Sequence, residues 1–313
     1  MSKILAVFGA TGQQGSSVVN NVLKDPELSK EYQLRAITRN VDSEKAKELR
    51  ERNVEVVEGD AEDPASLKRA LKGVHTVFAM TAPSLDPGRK APLDEYEVIK
   101  SMADIAVQVG VQYFIFSTLP PVSEISGGKY VQVVNFDIKA KGEKYIRGLP
   151  IKSAFVSLGS FMENYQAQPF LAPQPAGDGT YVFARNSSPK TELPLIDAVG
   201  DTGKFVGAIL AEPEKYEGKR FHAATALYTL EEVVRLLSKS SGKTIVYKQI
   251  SDEEFEKSLP FFGGLFREGY SYGEEFGYFG PGTKESVAWA AANARGKLST
   301  FEEYLEAHPF QLE

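Results

Sequence analysis

The amino-acid sequence predicts an α/β protein: a doubly wound parallel sheet followed by a smaller α/β C-terminal cap domain. Three observations lead there. Short β-branched runs alternate with longer helical patterns through the first 157 residues, at the spacing of β-α-β units. The first run ends in a glycine turn that opens a helix, G-A-T-G-Q-Q-G at 9–15. Through 166–200 the alternation stops, and proline, glycine and polar turn formers take over, as in P-Q-P-A-G-D-G-T and R-N-S-S-P-K.

Taken in order, I-L-A-V-F near 4–8 reads as a buried first strand, too short before its glycines to be a signal peptide. Strands follow at Q-L-R-A-I-T near 33–38, V-E-V-V-E near 54–58, T-V-F-A-M near 76–80, Y-F-I-F-S near 113–117 and I-K-S-A-F-V-S at 151–157. Helical periodicity fills 15–24, 43–52, 64–72 and 94–109; in the last, Ile99, Met102, Ala103, Ala106 and Val109 recur at three- and four-residue steps. The reading divides the chain into 1–157 and 158–313, with about 180–212 a candidate for returning to the first unit. Later elements are short: a helix near 202–211, a strand G-K-R-F-H-A, a helix capped by Thr229, a strand T-I-V-Y-K, and helices to the end.

Composition narrows the function. The 313 residues carry a net charge of −6, against a protein that coats nucleic acid, although a local basic patch stays open. No run approaches the ~20 apolar residues that cross a bilayer, so a cytoplasmic and also possible nuclear location is expected. With no cysteine and three scattered histidines, His75, His222 and His308, neither a disulfide nor a metal site is expected.

The glycine turn points to a dinucleotide. Gly9, Gly12 and Gly15 permit a tight turn and close backbone approach, so amides opening the next helix can bind a pyrophosphate. At the end of the second strand stands I-T-R-N, with no acid for a ribose 2′-hydroxyl; Arg39 offers a guanidinium suited to a 2′-phosphate, which favours NADP over NAD. Asp60, ending V-V-E-G-D, reads equally as an adenine contact or a turn aspartate.

These stretches, with N-F-D-I-K-A-K-G-E and the tail F-G-Y-F-G…S-T-F-E-E-Y-L, together resemble the NmrA-like family, atypical members of the short-chain dehydrogenase superfamily. The resemblance implies a Rossmann-type domain binding NADP, a small domain bounding a cleft, and redox-responsive regulation through a transcription factor or signalling protein. It assigns Gly9, Ala10, Thr11, Gly12, Gln13, Gln14 and Gly15 to the pyrophosphate side. Arg39, Asn40 and Ser43 fall to the adenosine phosphate side, and Asp60 and Ala61 to the adenine. Thr81, Lys100 and Lys139 would approach the ribose and nicotinamide, and Phe161, Glu163 and Asn164 would close over the nicotinamide.

Catalysis turns on V-N-F-D-I-K at 134–139. A short-chain dehydrogenase carries a tyrosine one helical turn before its lysine as the proton donor. Here Asn135 takes that place, and an amide cannot exchange a proton at accessible pH. Lys139 can still hold a ribose. Tyr130 and Tyr145 lie off its helical face. Tyr165 and the cluster Y-S-Y-G-E-E-F-G-Y remain as distant tyrosines, and Ser117 and Thr118 as a strand-end pair. Two functions stand: a regulator switched by NADP occupancy, and a reductase of a small carbonyl or enone using Lys139. The apolar stretch L-P-F-F-G-G-L-F-R-E-G-Y, 259–270, fits burial, a pocket wall or a partner-docking helix. The loops at 81–93 and 172–179 read as candidates for movement beside the cleft.

Overall fold

The computed structural model describes residues 2–81 and 95–312, so all but Thr81 of the loop expectation at 81–93 lies outside the described residues. The large sheet is built from β1 (Lys3–Phe8), β2 (Tyr32–Thr38), β3 (Glu55–Glu58), β4 (Thr76–Ala79), β5 (Tyr113–Thr118) and β6 (Lys152–Leu158). Alternate residues of β1 serve opposite cores, as a two-residue side-chain period requires. Leu5 and Val7 join Val18, Val22, Phe205 and Ile209 on one face. Ala6 and Phe8 join Leu67, Ile99, Met102 and Ile146 on the other.

Beyond β6 come β7 (Ser160–Phe161), β8 (Gln174–Pro175), β9 (Tyr181–Arg185), β10 (Glu192–Ile196), β11 (Arg220–Ala223), β12 (Ala226–Thr229) and β13 (Ile245–Gln249). The large sheet runs β11-β6-β5-β4-β1-β2-β3, parallel throughout. This is a Rossmann-type order, and its direction of winding reverses between β1 and β4, which opens a crevice at their carboxyl ends. β1 leads into Gly9, and β4 into Met80 and Thr81. The two ends adjoin: a Cβ on Gly9, which holds φ +64°, would fall 2.8 Å from the Met80 sulfur.

The strand G-K-R-F-H-A, read as an element of the small unit, sits in the large sheet as β11, in register with β6. The helix Ala198–Ala211 also lies in the large layer, against the first helix, Gln13–Lys24. The two backbones nearly touch, since a Cβ on Gly203 would sit 2.2 Å from the Ser17 carbonyl oxygen, and Gly203 N–H donates to Ser17 Oγ at 2.8 Å.

The small layer holds two three-stranded sheets, β12-β10-β7 and β13-β9-β8. Three of those strands, β8, β9 and β10, lie within 166–200, where turn formers had hidden any regular element. Phe183, Leu195, Val233, Leu237 and Phe301 form its core. Thr229 does cap its helix Leu230–Ser241: the hydroxyl accepts from Glu232 N–H at 3.2 Å and the Glu232 carboxylate accepts from Thr229 N–H at 2.8 Å. The chain crosses between layers at Gly159, where a Cβ would lie 2.4 Å from the Pro194 carbonyl oxygen.

Candidate functional site

The glycine turn builds an anion cradle. Gly12 N–H bonds the Gly9 carbonyl at 2.9 Å, and helix Gln13–Lys24 begins with no side chain capping it, so its amides stay open to a ligand. Gly15 is required by contact: its Cβ would lie 2.2 Å from Gly9 O. Ala10 is buried, Thr11 half-buried, and Gly12 and Gln13 exposed. Gln14 turns toward the cleft with its buried Oε1 unpartnered.

Arg39 and Asn40 are exposed beyond β2. Arg39 makes no hydrogen bond or ion pair with the described residues, while Asn40 Oδ1 accepts from Asp42 N–H at 3.0 Å and Ser43 caps the helix Glu44–Glu51. That helix supplies a residue the sequence reading missed: Lys45 Nζ reaches the Thr11 carbonyl at 3.1 Å and puts a second cation on the same rim. Its signal was its position, two residues beyond the Ser43 cap. Asp60 Oδ1 accepts from Glu62 N–H at 3.0 Å, a turn role beside the half-buried Ala61.

At the nicotinamide end expected from the motif, Lys139 and Thr81 meet. Lys139 Nζ donates to the Thr81 carbonyl at 2.7 Å, to Thr81 Oγ1 at 2.9 Å and to Glu95 Oε1 at 2.6 Å, and Thr81 Oγ1 donates to the same Glu95 oxygen at 2.6 Å. All three ammonium protons are therefore engaged. Burial pushes the Lys139 ammonium below its ordinary range, opposed by the Glu95 carboxylate.

Glu95 was not anticipated, and Lys100 stands apart from this cluster. Five residues after Glu95 on the helix Glu95–Gln108, it points about 140° away around the axis. Its ammonium bonds Glu97 at 3.1 Å and lies 5.6 Å from the ring centres of both Tyr96 and Tyr145. Glu163 is engaged within the fold. Its carboxylate accepts from Ala198 N–H at 3.2 Å and Val199 N–H at 2.9 Å, closing the N-terminus of the helix Ala198–Ala211, while its neighbours Phe161 and Asn164 do face the cleft.

Asn135 and Lys139 share a face of the helix Val134–Arg147, and both line a cavity of about 390 Å³ between the layers. Ser117, Thr118 and Gln14 form its sheet end; Phe161, Tyr165, Phe266, Tyr270 and Tyr278 form its far walls. The 259–270 stretch thus supplies Leu265, Phe266, Gly269 and Tyr270 to the wall, with Phe261 and Phe262 left half exposed. Thr118 Oγ1 donates to the Lys139 carbonyl at 3.3 Å. The Asn135 side chain makes no hydrogen bond with the described residues, and its Oδ1 is buried. Tyr130 precedes the helix rather than lying on it, and its hydroxyl donates to Glu275 at 2.8 Å. Burial raises Tyr165 and Tyr278 well above the usual phenol range, the opposite of what a tyrosine proton donor needs.

The third residue missed by sequence reading is Arg185. It ends β9, whose burial alternates so that Tyr181, Phe183 and Arg185 face inward. That period of two was present in Y-V-F-A-R.

A parallel sheet of this order, a glycine cradle at its crevice and a cavity beside it define a dinucleotide-binding α/β protein of the Rossmann type. The sequence pattern of the NmrA-like family matches residues 1–305, and the chain belongs to that family. An NmrA-like family domain-containing protein of Dictyostelium discoideum is 30% identical over 320 residues, covering 100% of both chains. The NmrA-like family domain-containing oxidoreductase FrzB of Cladobotryum sp. is 30% identical over 270 residues, covering 80% of this chain and 77% of that one. Among solved structures, NmrA, a negative transcriptional regulator in complex with NADP, matches the fold with a TM-score of 0.79 at 24% identity, over 97% of this chain and 94% of that one. The same regulator has also been solved with NAD.

Proposed function

We propose that the chain binds NADP(H) across the carboxyl ends of β1 and β4 and reduces an apolar, conjugated carbonyl compound in the adjoining cavity. The observation that carries this reading is the cavity itself. Its 390 Å³ lies within the range of small-molecule sites, and it runs from Gln14 and Lys139 to a largely aromatic wall. The oxidoreductase name of the FrzB relative supports it.

The residues fit the cofactor: the uncapped helix start and the Gly9–Gly15 contact suit a pyrophosphate, and Arg39 with Lys45 suits a 2′-phosphate. NADPH, when bound, supplies a hydride. The chain's own contribution is orientation. Asn135, unbonded and at the cavity wall, can donate an amide N–H to a substrate carbonyl and steady the charge that develops on its oxygen. Lys139 holds Thr81 and Glu95 in place and has no proton-bearing donor to spare. The proton that completes reduction comes from solvent. Following NADPH absorbance with a panel of quinones, enones and aromatic aldehydes tests this. Turnover of at least about 1 per second for one class is expected; no oxidation across the panel would remove the reductase reading.

The saturated Lys139 favours a second reading, in which NADP occupancy shifts a partner-binding surface, such as one for a transcription factor, between two populations. Equal capture of a partner with and without NADP would defeat it.

A further inference from the structure

Among the described residues, the cavity has two charged side chains in its wall, Lys139 and Arg185, and no acidic one. Lys139 carries its own counter-ion in Glu95 at 2.6 Å. Arg185 carries none among the described residues. It is 3% exposed, and its guanidinium donates to the Ala184 carbonyl at 2.7 Å and the Leu171 carbonyl at 2.6 Å, while Nε is buried without a partner among the described residues.

The acids on neighbouring elements are engaged elsewhere. Asp252 accepts from Asn186, Glu268 from Gln132 and Arg267, and Glu274 from the Ser188 amide. Below the guanidinium lies the Phe183 ring, 3.8 Å from its centre, with Tyr270 at 5.1 Å. Ring faces offset part of the cost of holding a cation out of water, and two carbonyls offset more, but neither neutralises the charge. Buried arginine is ordinarily paired.

We propose that Arg185 is the specificity determinant of the cavity and that the ligand held there bears a carboxylate on an apolar, aromatic-sized body. A planar guanidinium matches the two oxygens of a carboxylate. The surrounding walls, Tyr165, Leu171, Phe266 and Tyr270, accept the apolar remainder. This inference rests on the proposed small-molecule reading of the cavity but not on turnover, so binding alone tests it.

The test is calorimetric titration of the full chain, with NADP present, using benzoate, trans-cinnamate and 2-naphthoate, each beside its methyl ester. At least one acid is expected to bind roughly 10-fold or more tighter than its ester, the range of a charge-assisted hydrogen bond. In Arg185→Gln that preference falls to about one, while Arg185→Lys retains part of it. No acid-over-ester preference across the panel, or a preference that survives Arg185→Gln, overturns the proposal. Acid preference without NADPH oxidation would keep Arg185 in this role and remove the reductase reading. Turnover of neutral enones with unchanged KM in Arg185→Gln would do the reverse.

Discussion

The two ends of the cleft treat charge differently. At the sheet end, the ammonium of Lys139 is ringed by a carbonyl, a hydroxyl and a carboxylate, all from the ends of β4 and the next described helix. At the small-layer end, Arg185 is as deeply buried with two carbonyls and a ring face, and no anion among the described residues. One end is complete within the chain; the other lacks one partner. The difference separates a group that organises the site from a group available to something that enters it.

Breaking the complete end carries the largest expected effect. Glu95→Gln leaves Lys139 buried without its counter-ion and is expected to destabilise the fold by about 3–5 kcal/mol in urea unfolding near neutral pH. Arg185→Gln removes no internal ion pair and is expected to cost only about 1–2 kcal/mol, the loss of carbonyl hydrogen bonds. Equal losses would erase the contrast. The sign with pH follows from burial. Lys139 titrates lower in the folded state than its ordinary 10.5, so the unfolded chain holds more protons in the interval between. Its contribution therefore becomes more favourable as pH rises toward 10.5. Without Glu95 the folded value drops further, and the deficit of Glu95→Gln is expected to be smaller at about pH 9 than at about pH 6.

Asn135 sharpens the same contrast, since it stands one turn from Lys139 yet shares the incompleteness of Arg185. Its buried Oδ1 has no partner, so Asn135→Ala is expected to leave stability within about 1 kcal/mol. The same substitution is expected to lower kcat/KM for a reduced carbonyl about 10²-fold, the loss of one polarising donor. An unchanged kcat/KM would remove Asn135 from the reaction.

What the sequence made legible follows these lines. The large sheet could be read because each strand is a continuous apolar run and each crossover a long periodic helix, as in I-L-A-V-F and Ile99 to Val109. Asn135 and Lys139 could be placed on one face because four residues make nearly one helical turn. Glu95 could not, because its role depends on where its helix begins, and a shift of five residues favoured Lys100. Arg185 was hidden differently. Its strand is five residues long between G-D-G-T and N-S-S-P, and two-residue alternation over so short a span is easily lost among turn formers. The edge strand β11 carried an apolar pattern that suits either sheet; only its parallel register with β6 assigns it to the large one.

The smallest expected effect concerns the third cation, Arg39, which differs from both buried ones in being exposed and unpaired among the described residues. Arg39→Ala is expected to leave stability within about 0.5 kcal/mol. In calorimetry, its affinity for NADPH is expected to fall roughly 10-fold while that for NADH is unchanged, because only the former carries a 2′-phosphate. The drop is held to the low end by Lys45, which meets the Thr11 carbonyl on the same rim and keeps positive charge there. Arg39→Ala combined with Lys45→Ala should therefore lose more NADPH affinity than either alone and erase the preference over NADH. A preference that persists in the double variant would move 2′-phosphate recognition away from this rim.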